Sequence, residues 1–133
     1  MSTYRILVVD DLEPWRRLIS SKVEEHPDLQ VVGEAKDGLE AIQKATELKP
    51  DLVLLDVDLP KVNGLEVARL IAGAVRNTKI LFLSQIIDTD VISAALSDGA
   101  WGYILKIDAE AELLAAIAAI IKGERFVSRR VPR

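Results

Sequence analysis

The chain has 133 residues, half of them hydrophobic, which suits about one domain with a real core and not a large barrel of about 250 residues. A formal net charge of -4 gives no electrostatic footprint for nucleic-acid backbones. The absence of cysteine excludes disulfides and thiolate metal sites, and a single histidine excludes a His-rich metal cluster. The longest apolar run, Leu113 to Ile121, is far shorter than the roughly 20 residues of a membrane helix. With no signal-peptide pattern at the start, we expect a cytoplasmic protein without a membrane anchor.

Short apolar runs alternate along the chain with longer amphipathic stretches. Runs that are apolar at consecutive positions are typical of strands buried on both faces, as in a parallel sheet. They occur in chain order at Ile6–Val9, Leu52–Leu55 and Ile80–Leu83, with weaker versions at Leu29–Val32 and Tyr103–Leu105. The stretches between them carry apolar residues at helical spacing. This alternation predicts an α/β fold, a doubly wound parallel sheet of five strands with helices on both faces.

Three residue types mark the predicted helix ends. Pro14 suits the first turn of the first helix. Asp88 and Asp108 are predicted N-caps of the last two helices. Gly99 and Gly123 are predicted to cap the C-terminal ends of the same two helices.

Polar residues directly follow four of the five predicted strands. Asp10 and Asp11 follow the first strand, Asp56 the third, Ser84 the fourth and Lys106 the fifth. The carboxyl ends of parallel strands meet at one edge of an open α/β sheet, which is where sites form. We therefore expect these side chains to lie close together.

The predicted cluster suits Mg²⁺-assisted phosphoryl transfer. Neighbouring carboxylates repel unless a counter-charge is present, and Mg²⁺ prefers oxygen ligands. An aspartate such as Asp56 can accept a phosphoryl group as a nucleophile, while Ser84 and Lys106 can hold phosphoryl oxygens. Each residue also has an ordinary structural role open to it. Asp10 and Asp11 can cap a helix, and Asp56 can form a turn.

From Tyr4 to about Val127, the sequence resembles the receiver domain of bacterial two-component response regulators. The resemblance is carried by four segments: Asp10-Asp11, Leu54-Leu55-Asp56-Val57-Asp58-Leu59-Pro60 with Gly64-Leu65-Glu66-Val67, Leu83-Ser84, and Gly99-Ala100-Trp101-Gly102-Tyr103-Ile104-Leu105-Lys106. The last segment, with Ile121-Lys122-Gly123-Glu124, looks most like receivers that precede a LuxR-type helix-turn-helix. The resemblance implies a flavodoxin-like (βα)5 fold with strand order 2-1-3-4-5.

The resemblance also implies a role for each site residue. Asp56 would accept phosphate from a phosphohistidine on a sensor histidine kinase, and Lys106 would pair with the aspartate or the phosphate. Asp11, Asp56 and the backbone carbonyl of Asp58 would hold Mg²⁺, with Asp10 acting mainly through water. Ser84 would shift to bind the phosphoryl group.

The same resemblance implies how the switch is read out. Tyr103 would change rotamer together with Ser84. The change would alter the face made by the fourth helix, fifth strand and fifth helix, about residues 88–97 and 101–121. Dimerisation on phosphorylation is a possible consequence, and the output would be regulation of transcription in a longer parent protein. The chain would not be an enzyme beyond its own phosphorylation and dephosphorylation.

Three positions depart from the common receiver pattern. Ile107 follows Lys106 where many receivers have proline, which puts the usual cis peptide in doubt. Gln85 stands where a small residue is common and narrows access to the phosphoryl group. Asp58 adds a carboxylate two residues beyond Asp56, and we hypothesise that its charge perturbs phosphorylation or hydrolysis.

Residues 1–127 are predicted to form the receiver domain, and residues 128–133 a tail or the start of a linker, with no effector domain and no direct nucleic-acid binding. Two tryptophans, Trp15 and Trp101, are expected to pack against the domain, with a partner contact as the alternative for Trp101.

Two other functions remain open. One is an Mg²⁺-dependent aspartate-nucleophile phosphohydrolase, suggested by the spacing of Asp56 and Asp58, and the other is a stand-alone receiver that acts only by protein–protein interaction.

Overall fold

A parallel sheet with helices on both faces forms the body of the protein in the computed structural model, which describes residues 3–132. Met1 and Ser2, before the predicted first strand, and Arg133, at the end of the predicted tail, lie outside the described residues. The strands are Tyr4–Val9 (β1), Leu29–Ala35 (β2), Leu52–Leu55 (β3), Lys79–Ser84 (β4), Gly102–Leu105 (β5) and Phe126–Val127 (β6). The helices are Glu13–Glu24 (α1), Gly38–Leu48 (α2), Gly64–Ala74 (α3), Thr89–Ser97 (α4) and Ala109–Ile121 (α5).

The strand order is β2-β1-β3-β4-β5-β6, and all neighbouring strands are parallel. The predicted order 2-1-3-4-5 is therefore confirmed for the first five strands. The sixth strand was not predicted, because two residues are too short to show a hydrophobic period. It pairs with β5 through Gly102 and Phe126 and through Tyr103 and Val127.

Two apolar clusters, one on each face of the sheet, form the core. In β1, Leu7 and Val9 face one cluster, whereas Ile6 and Val8 face the other, because successive side chains of a strand point to opposite faces. Helices α2, α3 and α4 cover the first cluster, and α1 and α5 cover the second. The continuous apolar runs of the sequence are thus explained by strands that are buried on both sides.

Three of the four predicted helix caps, Asp88, Gly99 and Gly123, are confirmed. Asp88 accepts hydrogen bonds from the backbone N–H groups of Asp90 and Val91 and so caps α4. Gly99 and Gly123, directly after the C-caps of α4 and α5, have φ of 101° and 86°, the left-handed region that favours glycine.

Asp108, the fourth predicted cap, does not cap α5. It makes no capping hydrogen bond, and its carboxylate instead pairs with the guanidinium of Arg130, Nη2 to Oδ1 at 3.0 Å. A short 3₁₀ helix, Lys106–Asp108, links β5 directly to α5, so the chain enters the helix without the extended residue that an N-cap needs.

Residues 128–132, expected as a tail or the start of a linker, lie against the domain. Ser128 is fully buried, and its backbone N–H donates to the carbonyl of Tyr103 at 3.0 Å. Val131 is also buried, in the same apolar cluster as Tyr103 and Ile92. One hydrogen-bonding residue and one apolar anchor therefore tie this segment to β5 and α4.

Candidate functional site

The carboxyl ends of four adjacent strands bring the predicted site residues to one edge of the sheet. Asp10 and Asp56 directly follow the neighbouring strands β1 and β3. Ser84 is the last residue of β4, and Lys106 directly follows β5. Gly64, the first residue of α3, packs directly against the backbone of Asp56 and Val57. An added Cβ there would lie 2.1 Å from the Asp56 carbonyl oxygen, so only glycine permits this approach.

Three carboxylates form the centre of the site. Oxygen atoms of Asp10, Asp11 and Asp56 all lie within 4.8 Å of one another. Asp10 and Asp56 are buried, whereas Asp11 is exposed. Backbone donors fix two of the three, since Leu12 N–H donates to Asp10 Oδ1 at 2.9 Å and Asp58 N–H donates to Asp56 Oδ1 at 3.1 Å. The oxygen-only donor set could hold a hard divalent metal ion.

The ammonium of Lys106 bridges the two buried carboxylates. Its Nζ lies 2.7 Å from Asp10 Oδ2 and 3.0 Å from Asp56 Oδ2, and its side chain is only 4% exposed. Three carboxylates and one ammonium leave two net negative charges in the pocket, which matches the charge of a divalent cation. Lys106 thus neutralises only part of the acidic cluster.

The environment shifts the proton affinities of Asp56 and Lys106. Burial raises the pKa of the Asp56 carboxyl, and the hydrogen bonds from Lys106 and from the Asp58 N–H oppose this without cancelling it. Burial pulls the pKa of Lys106 down, but its hydrogen bonds to Asp10 and Asp56 outweigh burial and leave that pKa raised. Lys106 is therefore held in its charged form beside Asp56.

Ser84 and Tyr103 are joined through the loop that follows β4. Both are fully buried, with Ile86 between them in the hydrogen-bond network. The Ile86 N–H donates to Ser84 Oγ at 3.2 Å, and the Tyr103 hydroxyl donates to the Ile86 carbonyl at 2.8 Å. Burial raises the pKa of Tyr103, so its hydroxyl stays a donor. The inward rotamer of Tyr103 is consequently coupled to the position of the loop after Ser84.

The three unusual positions of the sequence lie at the rim of the site. The side chains of Asp58 and Gln85 are exposed, and the Asp58 carboxylate is not among the three that cluster. No cis peptide occurs in residues 3–132, so the bond between Lys106 and Ile107 is trans. Ile107 projects into solvent with 76% of its surface exposed.

Sequence reasoning missed two residues of α1 that touch the site. The Lys106 Nζ lies 5.0 Å from the ring centroid of Trp15, so this residue contacts the site as well as packing against the domain. The Arg16 guanidinium donates to the Asp10 carbonyl through Nη1 at 2.9 Å and pairs with Glu34 through Nε at 3.2 Å. Their position one helical turn after the aspartate pair was the only signal in the sequence.

The buried hydroxyl of Ser128 was also missed, because a serine before two arginines looks like linker. Its Oγ accepts from the Leu105 N–H at 3.0 Å and donates to Glu112 Oε1 at 2.6 Å. Leu105 is the residue before Lys106, so the C-terminal segment is bonded to the strand that carries the site lysine.

Comparison with known proteins identifies the family. Residues 6–118 match the family model of the response regulator receiver domain. The transcriptional regulatory protein LiaR of Bacillus subtilis is 36% identical over 127 residues, which cover 96% of this chain and 60% of LiaR. The oxygen regulatory protein NreC of Staphylococcus aureus is 38% identical over 128 residues, 96% of this chain and 59% of NreC. The chain thus spans about three fifths of the length of these relatives.

A solved structure supports the same assignment. The crystal structure of a LuxR-family two-component response regulator from Aurantimonas superposes with a TM-score of 0.92 at 35% identity, covering 98% of this chain and 93% of that one. Within residues 3–132, every helix is too short or too polar to traverse a bilayer. The sequence match, the strand order and the clustered aspartates agree, and the chain belongs to the receiver-domain family of two-component response regulators.

Proposed function

We propose that Asp56 is the phosphoryl acceptor of this receiver domain and that a sensor histidine kinase is the donor. The observation that carries this assignment is the Lys106 ammonium, which lies 3.0 Å from Asp56 Oδ2 inside a cluster of three carboxylates. Asp56 is held from both sides, by Lys106 and by the Asp58 N–H. Asp10 is held in the same way by Lys106 and the Leu12 N–H, so the choice of Asp56 as the acceptor rests on the resemblance to receiver domains. Such a fixed carboxylate suits in-line attack on phosphorus.

Magnesium fits the donor set of the pocket, because the site offers carboxylate oxygens and two uncompensated negative charges. We assign Asp11, Asp56 and the backbone carbonyl of Asp58 as its ligands, with Asp10 acting mainly through water. When bound, the metal would supply positive charge that neutralises the phosphoryl oxygens.

The residues of the chain perform the transfer as follows. An Asp56 carboxylate oxygen forms a bond to phosphorus while the bond from phosphorus to the donor imidazole nitrogen breaks, and the imidazole leaves with that electron pair. Lys106 then pairs with a phosphoryl oxygen, and Ser84 donates its hydroxyl to another. Moving Ser84 Oγ breaks its contact with the Ile86 N–H, which displaces the loop to which the Tyr103 hydroxyl is bonded.

The displacement would be read out on the face formed by α4, β5 and α5. Tyr103 lies on β5, and its hydroxyl bonds to the chain that leads into α4. LiaR is a transcriptional regulatory protein, and this chain covers only 60% of its length, so we propose transcriptional control by a longer parent protein. Dimerisation on phosphorylation and a cytoplasmic location belong to the same proposal.

Intact mass measured after incubation with Mg²⁺ and acetyl phosphate tests the assignment. A single phosphoryl adduct that Asp56→Asn abolishes is expected, whereas Asp28→Asn, a matched change at an exposed carboxylate, leaves it intact. Rapid multiple turnover of phosphomonoesters would instead support a phosphohydrolase. No adduct with the unmodified chain would support a domain that acts only by protein–protein interaction. The decay of the adduct, followed by mass, measures the self-catalysed dephosphorylation.

A further inference from the structure

A groove between α1 and α5 borders the lysine of the site. It has a volume of about 270 Å³, and Trp15 and Lys106 both line it. The outer lining includes Leu18 and Ile107, which are 59% and 76% exposed, so solvent enters the groove freely. The Lys106 side chain is nevertheless only 4% exposed. A neighbouring group must therefore cover the lysine on the groove side.

The indole of Trp15, which lines the same groove, lies beside the Lys106 ammonium. The Lys106 ammonium has three N–H donors, and Asp10 and Asp56 each lie within hydrogen-bond distance of its nitrogen. The ring centroid of Trp15 lies 5.0 Å from the same nitrogen, within the range of an attractive cation–π contact. Lys106 is thus enclosed by two carboxylates and one aromatic ring.

The ring of Trp15 also packs against the core. Trp15 is partly buried and packs against the apolar cluster beneath α1 and α5, which includes Ile19 and Ala109. It also lies in the first turn of α1, four residues after Asp11, so the helix carries the ring over the pocket. A ring fixed in this way can hold a flexible lysine side chain in one place.

We propose that Trp15 is a positioning residue that holds the Lys106 ammonium at Asp56 and shields it from water in the groove. The proposal rests on the proposed function of Asp56 as acceptor. In this proposal the aromatic face of the Trp15 ring, and not only its apolar volume, holds the Lys106 ammonium in place. Loss of the ring would let Lys106 leave the acceptor and slow phosphorylation by about fivefold, the factor that a partly desolvated cation–π contact of ordinary strength represents.

The chain offers a matched control in its second tryptophan. Trp101 is partly buried, and its ring centroid lies 4.2 Å from Lys79 Nζ at the opposite edge of the sheet. Trp101→Leu therefore removes the same kind of contact away from the site. Trp15→Leu removes the aromatic face and keeps an apolar side chain, and Trp15→Phe keeps both.

Two measurements on the whole chain in Mg²⁺ decide the proposal. The first is the hydrogen exchange of the Lys106 ammonium, followed by NMR of protein labelled with ¹⁵N-lysine and assigned with Lys106→Met. The second is the rate of phosphorylation by acetyl phosphate, followed by intact mass. Circular dichroism melting confirms that each variant is folded.

Trp15→Leu is expected to speed exchange of the Lys106 ammonium and to slow phosphorylation about fivefold. Trp15→Phe should restore both to within about twofold, and Trp101→Leu should change neither. Unchanged exchange in Trp15→Leu would overturn the proposal, as would an equal loss of rate in Trp101→Leu. If the unmodified chain takes up no phosphate, the proposed function fails, and the exchange measurement still decides whether Trp15 holds Lys106.

Discussion

The buried hydroxyl of Ser128 permits a quantitative test of how the C-terminal segment is attached. Ser128→Ala removes the hydrogen bond donated to Glu112 Oε1 at 2.6 Å and the acceptor of the Leu105 N–H at 3.0 Å. Ser128 has no exposed surface, so the Leu105 N–H is left without water or another partner.

The cost follows from these two contacts. A buried N–H without a partner costs about 1–3 kcal/mol, and a hydrogen bond to a charged group contributes about 1.5–3 kcal/mol. Glu112 is only partly buried and keeps the Arg129 N–H as a donor at 3.2 Å, so its share lies at the low end. We expect a loss of about 2 kcal/mol in the free energy of unfolding. At about 2 cal/mol/K of unfolding entropy per residue, a chain of 133 residues would melt about 7 °C lower.

Thermal and urea unfolding followed by circular dichroism measure this loss. Ser97→Ala, at an exposed serine of α4, is the control and should stay within about 0.5 kcal/mol of the parent. Glu112→Gln keeps an acceptor oxygen and should cost about 1 kcal/mol. A Ser128→Ala protein as stable as Ser97→Ala would refute the reasoning and would show that residues 128–132 are not anchored through this hydroxyl.

Three other predictions concern the site and its surroundings. Lys106→Met leaves Asp10 and Asp56 facing each other without a cation. Without Mg²⁺, urea unfolding should therefore show a loss of about 3 kcal/mol in the free energy of unfolding, which Mg²⁺ partly restores. A variant as stable as the parent would contradict the bridging role of Lys106. If the charge of Asp58 perturbs the lifetime of the adduct, Asp58→Asn will change the dephosphorylation rate measured by mass, and equal rates would remove the hypothesis. Burial, together with Asp51, raises the pKa of Tyr4 to about 12, so folding favours the neutral phenol and stability should fall as pH rises from about 10 through 12. Ultraviolet titration of the parent and Tyr4→Phe, combined with urea unfolding at each pH, tests this, and a Tyr4 that titrates near 10 would contradict it.

Much of the fold could be predicted because its strands are buried on both faces. Four of the five main strands left a run of consecutive apolar residues, as at Leu52–Leu55, whereas Gln30 interrupts the run of the edge strand β2. Helix α4 carries its cap in Asp88. The two-residue strand β6 left no such run, since its pairing depends on the chain leaving α5 and returning to β5. Asp108 shows the same limit, because its choice between capping α5 and pairing with Arg130 depends on a residue 22 positions away.

The doubly wound fold and the residues that gather at its edge could be predicted from local features of the sequence. Strand ends are local features, and parallel strands bring them to one side whatever the loops do. Three contacts could be seen only in the folded protein: Lys106 bridges Asp10 as well as Asp56, the Trp15 ring lies beside this lysine, and Ser128 bonds to β5. These contacts join residues from separate elements through side-chain directions and burial. A linear pattern does not encode either property, since both arise only when the helices have packed onto the sheet.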